Sequence, residues 1–227
     1  MKKSIICSLL FILSFVSISE AQSQNKGFYL GLNGSLDRSD LDVTGGRKDL
    51  RKSLEKEGKP KLGYTLGVDL IYRFNDKIAI ETGVFYSNKG SKSEINIQSF
   101  DSVFAGGYIK STSVLHYIDL PIKANFYVLR KRKIQIFLAG GLAANFLLKH
   151  HTKLQTNIPN LIYIDNTQKI GVSVLGSLGL DLPVTSRMFV RVEPIFRRSL
   201  TRISKYDGPI KSYLYNPGLS FGVYYKL

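Results

Sequence analysis

The chain has 227 residues, 32 Lys and Arg against 17 Asp and Glu, a net charge of +15 and a single cysteine. That length suits one domain, and one cysteine excludes a disulfide framework and thiolate metal sites. So basic a balance fits nucleic acid, an anionic membrane surface or an acidic ligand, and compartment must decide between them.

Compartment is written in the first stretch, residues 1–21. Lys2 and Lys3 precede an apolar run from Ile5 to Ile18 and a small-residue exit at Ser19-Glu20-Ala21. This is the three-part form of a secretory signal peptide, with an apolar core too short for a comfortable helical span. Cleavage is expected after Ala21, leaving Gln22 first and residues 22–227 as the mature domain. Cys7 departs with the leader, so the fold alone must hold the exported chain together. Loss of Lys2, Lys3 and Glu20 leaves 30 basic and 16 acidic residues, a charge of about +14. Export argues against nucleic acid and leaves lipid phosphates as partners.

From there apolar residues recur at every second position, the period of a strand with one greasy face. Eight such segments follow in order: 27–36, 62–74, 78–89, 113–127, 134–149, 170–183, 187–198 and 213–227. The second is the clearest: Leu62, Tyr64, Leu66, Val68, Leu70, Tyr72 and Phe74 alternate with Gly63, Thr65, Gly67, Asp69, Ile71 and Arg73. Connections at 75–77, 128–133 and 184–186 are short, and those at 37–61, 90–112, 150–169 and 200–212 are long and polar. With an even number of strands, the short turns and both termini share one end and the long loops the other. Pro121, Pro183, Pro194 and Pro217 fall in or beside these strands, where each removes a ladder hydrogen bond. Pro183 and Pro217 suit strand ends, whereas Pro121 and Pro194 call for bulges or shifted boundaries.

Alternation alone does not say whether the greasy face meets a core or lipid, since soluble barrels alternate with the apolar set inside. The segments are longer than the usual 5 or 6 residues of soluble strands and suit the roughly 9–11 of a tilted membrane strand. The polar parity carries Asp69, Arg73, Glu81, Asp119, Lys123, Asp181, Arg191, Glu193 and Arg197, near charge balance and mixed with Gly, Ser and Asn. The bulky parity is nearly free of charge, as expected where a charge costs about 2–4 kcal/mol at the bilayer midplane. Phe28, Tyr72, Phe74, Tyr86, Phe126, Phe146 and Tyr225 collect near segment ends on the apolar parity, as interfacial girdles do. The reading is an all-β, eight-stranded antiparallel up-and-down transmembrane β-barrel, integral to the outer membrane, with periplasmic termini and extracellular long loops. The nine interior charges are expected to fill it as a plug of ion pairs, because eight strands leave only side-chain room; a narrow polar channel is the alternative.

The stretches "LHYIDLPIKANFYV" and "IQIFLAGGLAANFLL" resemble the PorT-like outer-membrane β-barrel family of Bacteroidetes, with Tyr117, Asp119, Leu120 and Pro121 and then Ala139-Gly140-Gly141 at the matching places. The family often has proline where Gly141 stands. The resemblance spans the mature chain, makes Pro121 expected, and implies a part in a secretion or envelope assembly complex. Leu219, Phe221, Val223, Tyr225 and Leu227 are similar to the C-terminal insertion signal read by the barrel-assembly machinery, with leucine in place of the usual final phenylalanine.

Few residues suggest chemistry. His116 lies on the lipid-facing parity with Ser113 nearby, as in lipid-modifying barrel enzymes, but nothing in the spacing demands a nucleophile and base in contact. His150-His151 lack a third ligand pattern. Arg130 to Lys133 read as a turn facing anionic headgroups, and Leu50 and Leu54 permit a short helix in the first long loop. No catalytic residue, cofactor or metal site is expected. The expected partners are outer-membrane lipid and lipopolysaccharide, the assembly machinery during insertion, and proteins of an envelope complex.

Overall fold

Eight strands form at the eight alternating segments in the computed structural model, which describes residues 26–48, 57–97, 107–131, 133–156, 166–206 and 208–227. They are β1 (Gly27–Gly45), β2 (Gly58–Arg73), β3 (Ile78–Ile97), β4 (Gly107–Arg130), β5 (Gln135–Thr156), β6 (Ile170–Pro183), β7 (Met188–Ser199) and β8 (Ile210–Lys226). Each pairs antiparallel with the next, and β1 pairs with β8, so the sheet closes into a barrel. The expected cleavage at Ala21-Gln22 and the helix around Leu50 and Leu54 lie outside the described residues.

Alternation decides which side each residue faces. Leu32, Leu62, Leu66, Ile122, Leu142, Ile170 and Phe221 are each at least half exposed on the outer wall, while Asp69, Ile71, Arg191 and Tyr224 are fully buried inside. A closed ring satisfies its backbone without water, which is what hydrocarbon demands of a sheet. The lower girdle, beside the short turns, packs ring on ring: Phe28 on Tyr72 at 4.6 Å and Tyr72 on Phe74 at 4.7 Å between centroids.

Two short turns are closed by a side chain as well as the backbone. Asn75 Oδ1 accepts from the amides of Lys77 and Ile78 at 2.8 and 2.9 Å, and Thr185 Oγ1 accepts from Arg187 and Met188 at 3.2 and 3.0 Å. Such local bonds are why Asn and Thr favour turns.

The strands run well past the alternating segments. Residues 37–45 belong to β1, 58–61 to β2, 90–97 to β3, 107–112 to β4 and 150–156 to β5, where long polar loops were expected. The cause is solvent: above the hydrocarbon both faces of a hairpin are wet, so the apolar period stops while the backbone ladder continues. His150 and His151 therefore sit in a strand, and consecutive strand residues point to opposite sides of the wall.

Pro121, Pro194 and Pro217 need no bulge. At Pro121 the β3–β4 ladder skips from Thr82↔Ile122 to Phe85↔Asp119 with register unchanged. At Pro194 the β6–β7 ladder skips from Ser177↔Ile195 to Leu180↔Val192, and at Pro217 the β1–β8 ladder skips from Asp37↔Gly218 to Asp40↔Tyr215, again in register. On its other side each proline stays paired, with Ala143, Leu219 and Phe196 respectively. The missing N–H leaves a local gap and the strand passes through it straight.

Candidate functional site

Charges cannot point at lipid, so a small barrel must absorb every charged residue of the inward parity and give each a partner. Six of the nine expected residues form one chain of alternating sign. Arg73 meets Asp181 at 2.9 Å, Asp181 meets Arg191 at 2.7 Å, and Arg191 meets Glu81 at 2.6 Å. Lys123 then bridges Glu81 and Glu193, 2.8 Å from each. Neutral donors add to the carboxylates: Tyr127 donates to Asp181 at 2.9 Å, Asn125 to Glu81 at 2.9 Å and Ser177 to Glu193 at 2.5 Å, while Oε2 of Glu193 has no partner.

The other three stand apart. Asp119 pairs with Lys89 at 2.6 Å and accepts from Ser87 and Asn145, each at 2.6 Å. Arg197 pairs with Asp37 at 2.8 Å, and Thr65 and Ser35 donate to the same carboxylate at 2.7 and 2.9 Å. Asp69 makes no salt bridge among the described residues; it accepts from the Tyr224 hydroxyl at 2.5 Å and from Asn33 at 3.1 Å. Sequence reasoning missed Asp37 and Lys89, having placed the first in a loop and the second at a strand end. Carrying the inward parity past Ser35 and Ser87 would have found both.

It also missed the aromatic floor beneath the charges. Tyr29, Ile71, Ala79, Tyr127, Phe137, Phe189 and Tyr224 form one buried cluster near the short-turn end. Phe189 and Tyr224 stack at 4.7 Å and 4°. The Arg191 guanidinium lies over the rings of Phe137 at 4.2 Å and Tyr224 at 4.8 Å, and Arg73 over Tyr29 at 4.7 Å. A guanidinium is weakly hydrated and flat, so it suits this contact better than an ammonium. Glycine makes the room: a Cβ at Gly31 would fall 2.3 Å from the Tyr224 ring, and one at Gly179 only 1.9 Å from the Phe137 ring.

Among the described residues, one interior void of about 30 Å³ is bordered by Glu81, Lys123 and Glu193, and another of similar size by Lys89 and Tyr117. Each is of the order of a single water. A basin of about 870 Å³ opens at the short-turn end, with Tyr29, Arg73 and Phe189 along it and Arg130, Lys131 and Arg187 among its cations. At the opposite mouth Ile203 packs onto buried Leu115, Tyr117 and Leu214. The amide of Gln168 donates to the Ile203 carbonyl at 2.6 Å, tying two connections together there.

Ser113 and His116 do not meet. The Ser113 hydroxyl lies 2.9 Å from Nε2 of His150, whose Nδ1 is 2.8 Å from the Thr167 hydroxyl. His116 faces outward, its Nδ1 2.5 Å from the Tyr86 hydroxyl. No group of three or more His, Cys, Asp or Glu able to hold a metal is found among the described residues. In the hairpin above the band, hydrogen bonds and charge from Lys110 at 2.7 Å and Lys59 at 2.5 Å hold the Glu94 carboxyl down to about 2. Leu219, Phe221, Val223, Tyr225 and Leu227 are all between 42% and 70% exposed, in line on the outer wall.

An apolar belt outside a closed ring, over a charged and packed interior, defines an integral membrane β-barrel of the outer-membrane type. The chain belongs to the outer membrane protein beta-barrel domain family, whose model matches residues 20–225. Among solved structures, the outer membrane protease OmpT of Escherichia coli is similar over 92% of this chain and 99% of its own, at 10% identity and a TM-score of 0.50. The outer membrane protein OprG of Pseudomonas aeruginosa matches over 91% and 99% at 15% identity and a TM-score of 0.46. Neisserial surface protein A matches over 88% and 97% at 14% identity and a TM-score of 0.45. At 10% identity the likeness to the protease is one of fold. No curated protein matches the chain in sequence.

Proposed function

We propose that this protein is a non-enzymatic outer-membrane barrel with a closed interior, acting through its wall, rims and loops as a structural or interaction module of the envelope. The observation that carries the reading is the alternating chain of buried charges from Arg73 to Glu193, which crosses the lumen with a void of about 30 Å³ beside Glu81, Lys123 and Glu193. Hydrated ions need a continuous water path, and a lumen so crossed favours a plug over the narrow channel. Purified protein in planar bilayers is expected to give no stepwise current; reproducible unitary conductance would sink the plug.

The orientation proposed places the short turns and termini in the periplasm and the long loops outside, after removal of a leader ending at Ala21. Tyr206, 72% exposed between β7 and β8, tests it. A Tyr206→Cys variant is expected to react with a membrane-impermeant maleimide on intact cells.

The likeness of Tyr117, Asp119, Leu120 and Pro121 to the PorT-like motif supports a place in a secretion or assembly complex. Affinity purification from native membranes in mild detergent tests this: a stoichiometric protein partner is expected, and recovery of the barrel alone would count against it. The partners proposed for the wall are outer-membrane lipid and lipopolysaccharide, and during insertion the assembly machinery, reading Leu219 to Leu227.

A further inference from the structure

A row of rings crosses four strands on the outer wall near the long-loop end. Tyr64 on β2 lies 6.2 Å from Tyr86 on β3, Tyr86 stacks on His116 of β4 at 5.8 Å, and His116 meets His151 of β5 edge-on at 5.8 Å. The row sits at a calculable height. His116 and Phe126 of the lower girdle both face outward on β4, ten positions apart by number. At about 3.3 Å per residue and a tilt near 40° the separation is roughly 25 Å along the membrane normal, the height of the apolar band of such barrels. Tyr64 and Phe74 of the β2 segment stand at the same spacing. The row therefore marks the line where acyl chains end and headgroups begin.

Cations gather at and above that line on the same four strands. Lys61 and Lys149 are charged neighbours of His116, and Lys92 is one of Lys61. Glu94 binds Lys59 and Lys110, and no carboxylate among the described residues pairs with Lys61, Lys92, Lys149 or Lys153. The rim over β7, β8 and β1 differs, since there Arg198 is neutralised by Asp42. The Tyr86 hydroxyl and Nδ1 of His116 share a 2.5 Å hydrogen bond, which engages that side of the ring and leaves Nε2 without a bond to Tyr86.

We propose that this sector of the wall is a binding site for a bisphosphorylated glycolipid of the outer leaflet. Lys61, Lys149 and the His116–His151 pair take its phosphates, and its acyl chains lie on the band below. The proposal deepens the lipid reading above and rests on the long loops facing outward. Charge-assisted bonds to phosphate at the edge of a low-dielectric layer are stronger than the same bonds in open water.

The test is native mass spectrometry of the full chain, released from detergent micelles doped with bisphosphorylated lipid A, its monophosphorylated form or phosphatidylglycerol. Lipid A is expected to stay bound to the unaltered protein, the monophosphorylated form less so, and phosphatidylglycerol least. Lys61→Gln with Lys149→Gln is expected to lower lipid A retention about tenfold, and Lys61→Arg with Lys149→Arg to preserve it. Each variant is first shown to migrate as a folded barrel on an unheated gel. Equal retention by the glutamine variant, or phosphatidylglycerol bound as tightly as lipid A, would overturn the site. Protection of Tyr206→Cys from the maleimide would instead overturn the orientation, whatever the lipid result.

Discussion

Among the described residues Arg191 is the largest of the fully buried side chains, and each of its three nitrogens has a use. Nε and one terminal nitrogen hold both oxygens of Asp181 at 2.7 and 3.0 Å, the other terminal nitrogen takes Glu81, and the plane of the group lies on two rings. Arg191→Met would take from Asp181 and Glu81 the cation they share, leaving each with one ion-pair partner, Arg73 and Lys123 respectively. The expected loss is about 3–5 kcal/mol, read as a lower urea midpoint for the shift between folded and unfolded gel bands. Gly179→Ala drives a methyl into the Phe137 ring, and since Phe137 lies under Arg191 the ring has nowhere to retreat. A cost of about 1–3 kcal/mol is expected in the same assay. Residue types on the inward parity were legible from sequence, because a charge every second position has only one side of a membrane wall to occupy. Who pairs with whom was not legible: Asp181 is joined to Arg73 across 108 positions and Arg197 to Asp37 across 160. Such pairs follow from closure and tilt, and no local pattern encodes them.

At the scale of the strand, proline acts as a gap with a patch. Where Pro121 interrupts the β3–β4 ladder, the Thr82 hydroxyl on the lipid side donates to the Pro121 carbonyl at 2.9 Å. No water reaches that depth to replace it, so an unpaired carbonyl there costs more than at a soluble surface. Thr82→Val, matched in shape, is expected to lose about 1–2 kcal/mol while Thr82→Ser loses little, by thermal denaturation in lipid vesicles. Strand positions within the band were readable from alternation to within a few residues, because lipid enforces the period. Above the band that enforcement ends, and in the extension of β3 to Ile97 and of β5 to Thr156 only Ile95, Ile97 and Leu154 are apolar, too few to mark a strand.

For the whole molecule, closure means that every strand has two neighbours, and the last pair is made between the first strand and the eighth. Tyr29 sits opposite Lys226, and the Leu227 amide donates to the Phe28 carbonyl at 3.0 Å. Hairpins such as β2–β3 or β6–β7 join residues close in sequence and can zip early, but this seam joins segments nearly the full chain apart. Contacts of that separation form slowly, since loop entropy is lost before anything is gained. Until the seam shuts, β1 and β8 each show a row of unpaired amides and carbonyls, the exposure that leads sheets to pair with strangers. A chain built this way cannot finish folding while its eighth strand is still being delivered, and its first strand keeps an open edge until then.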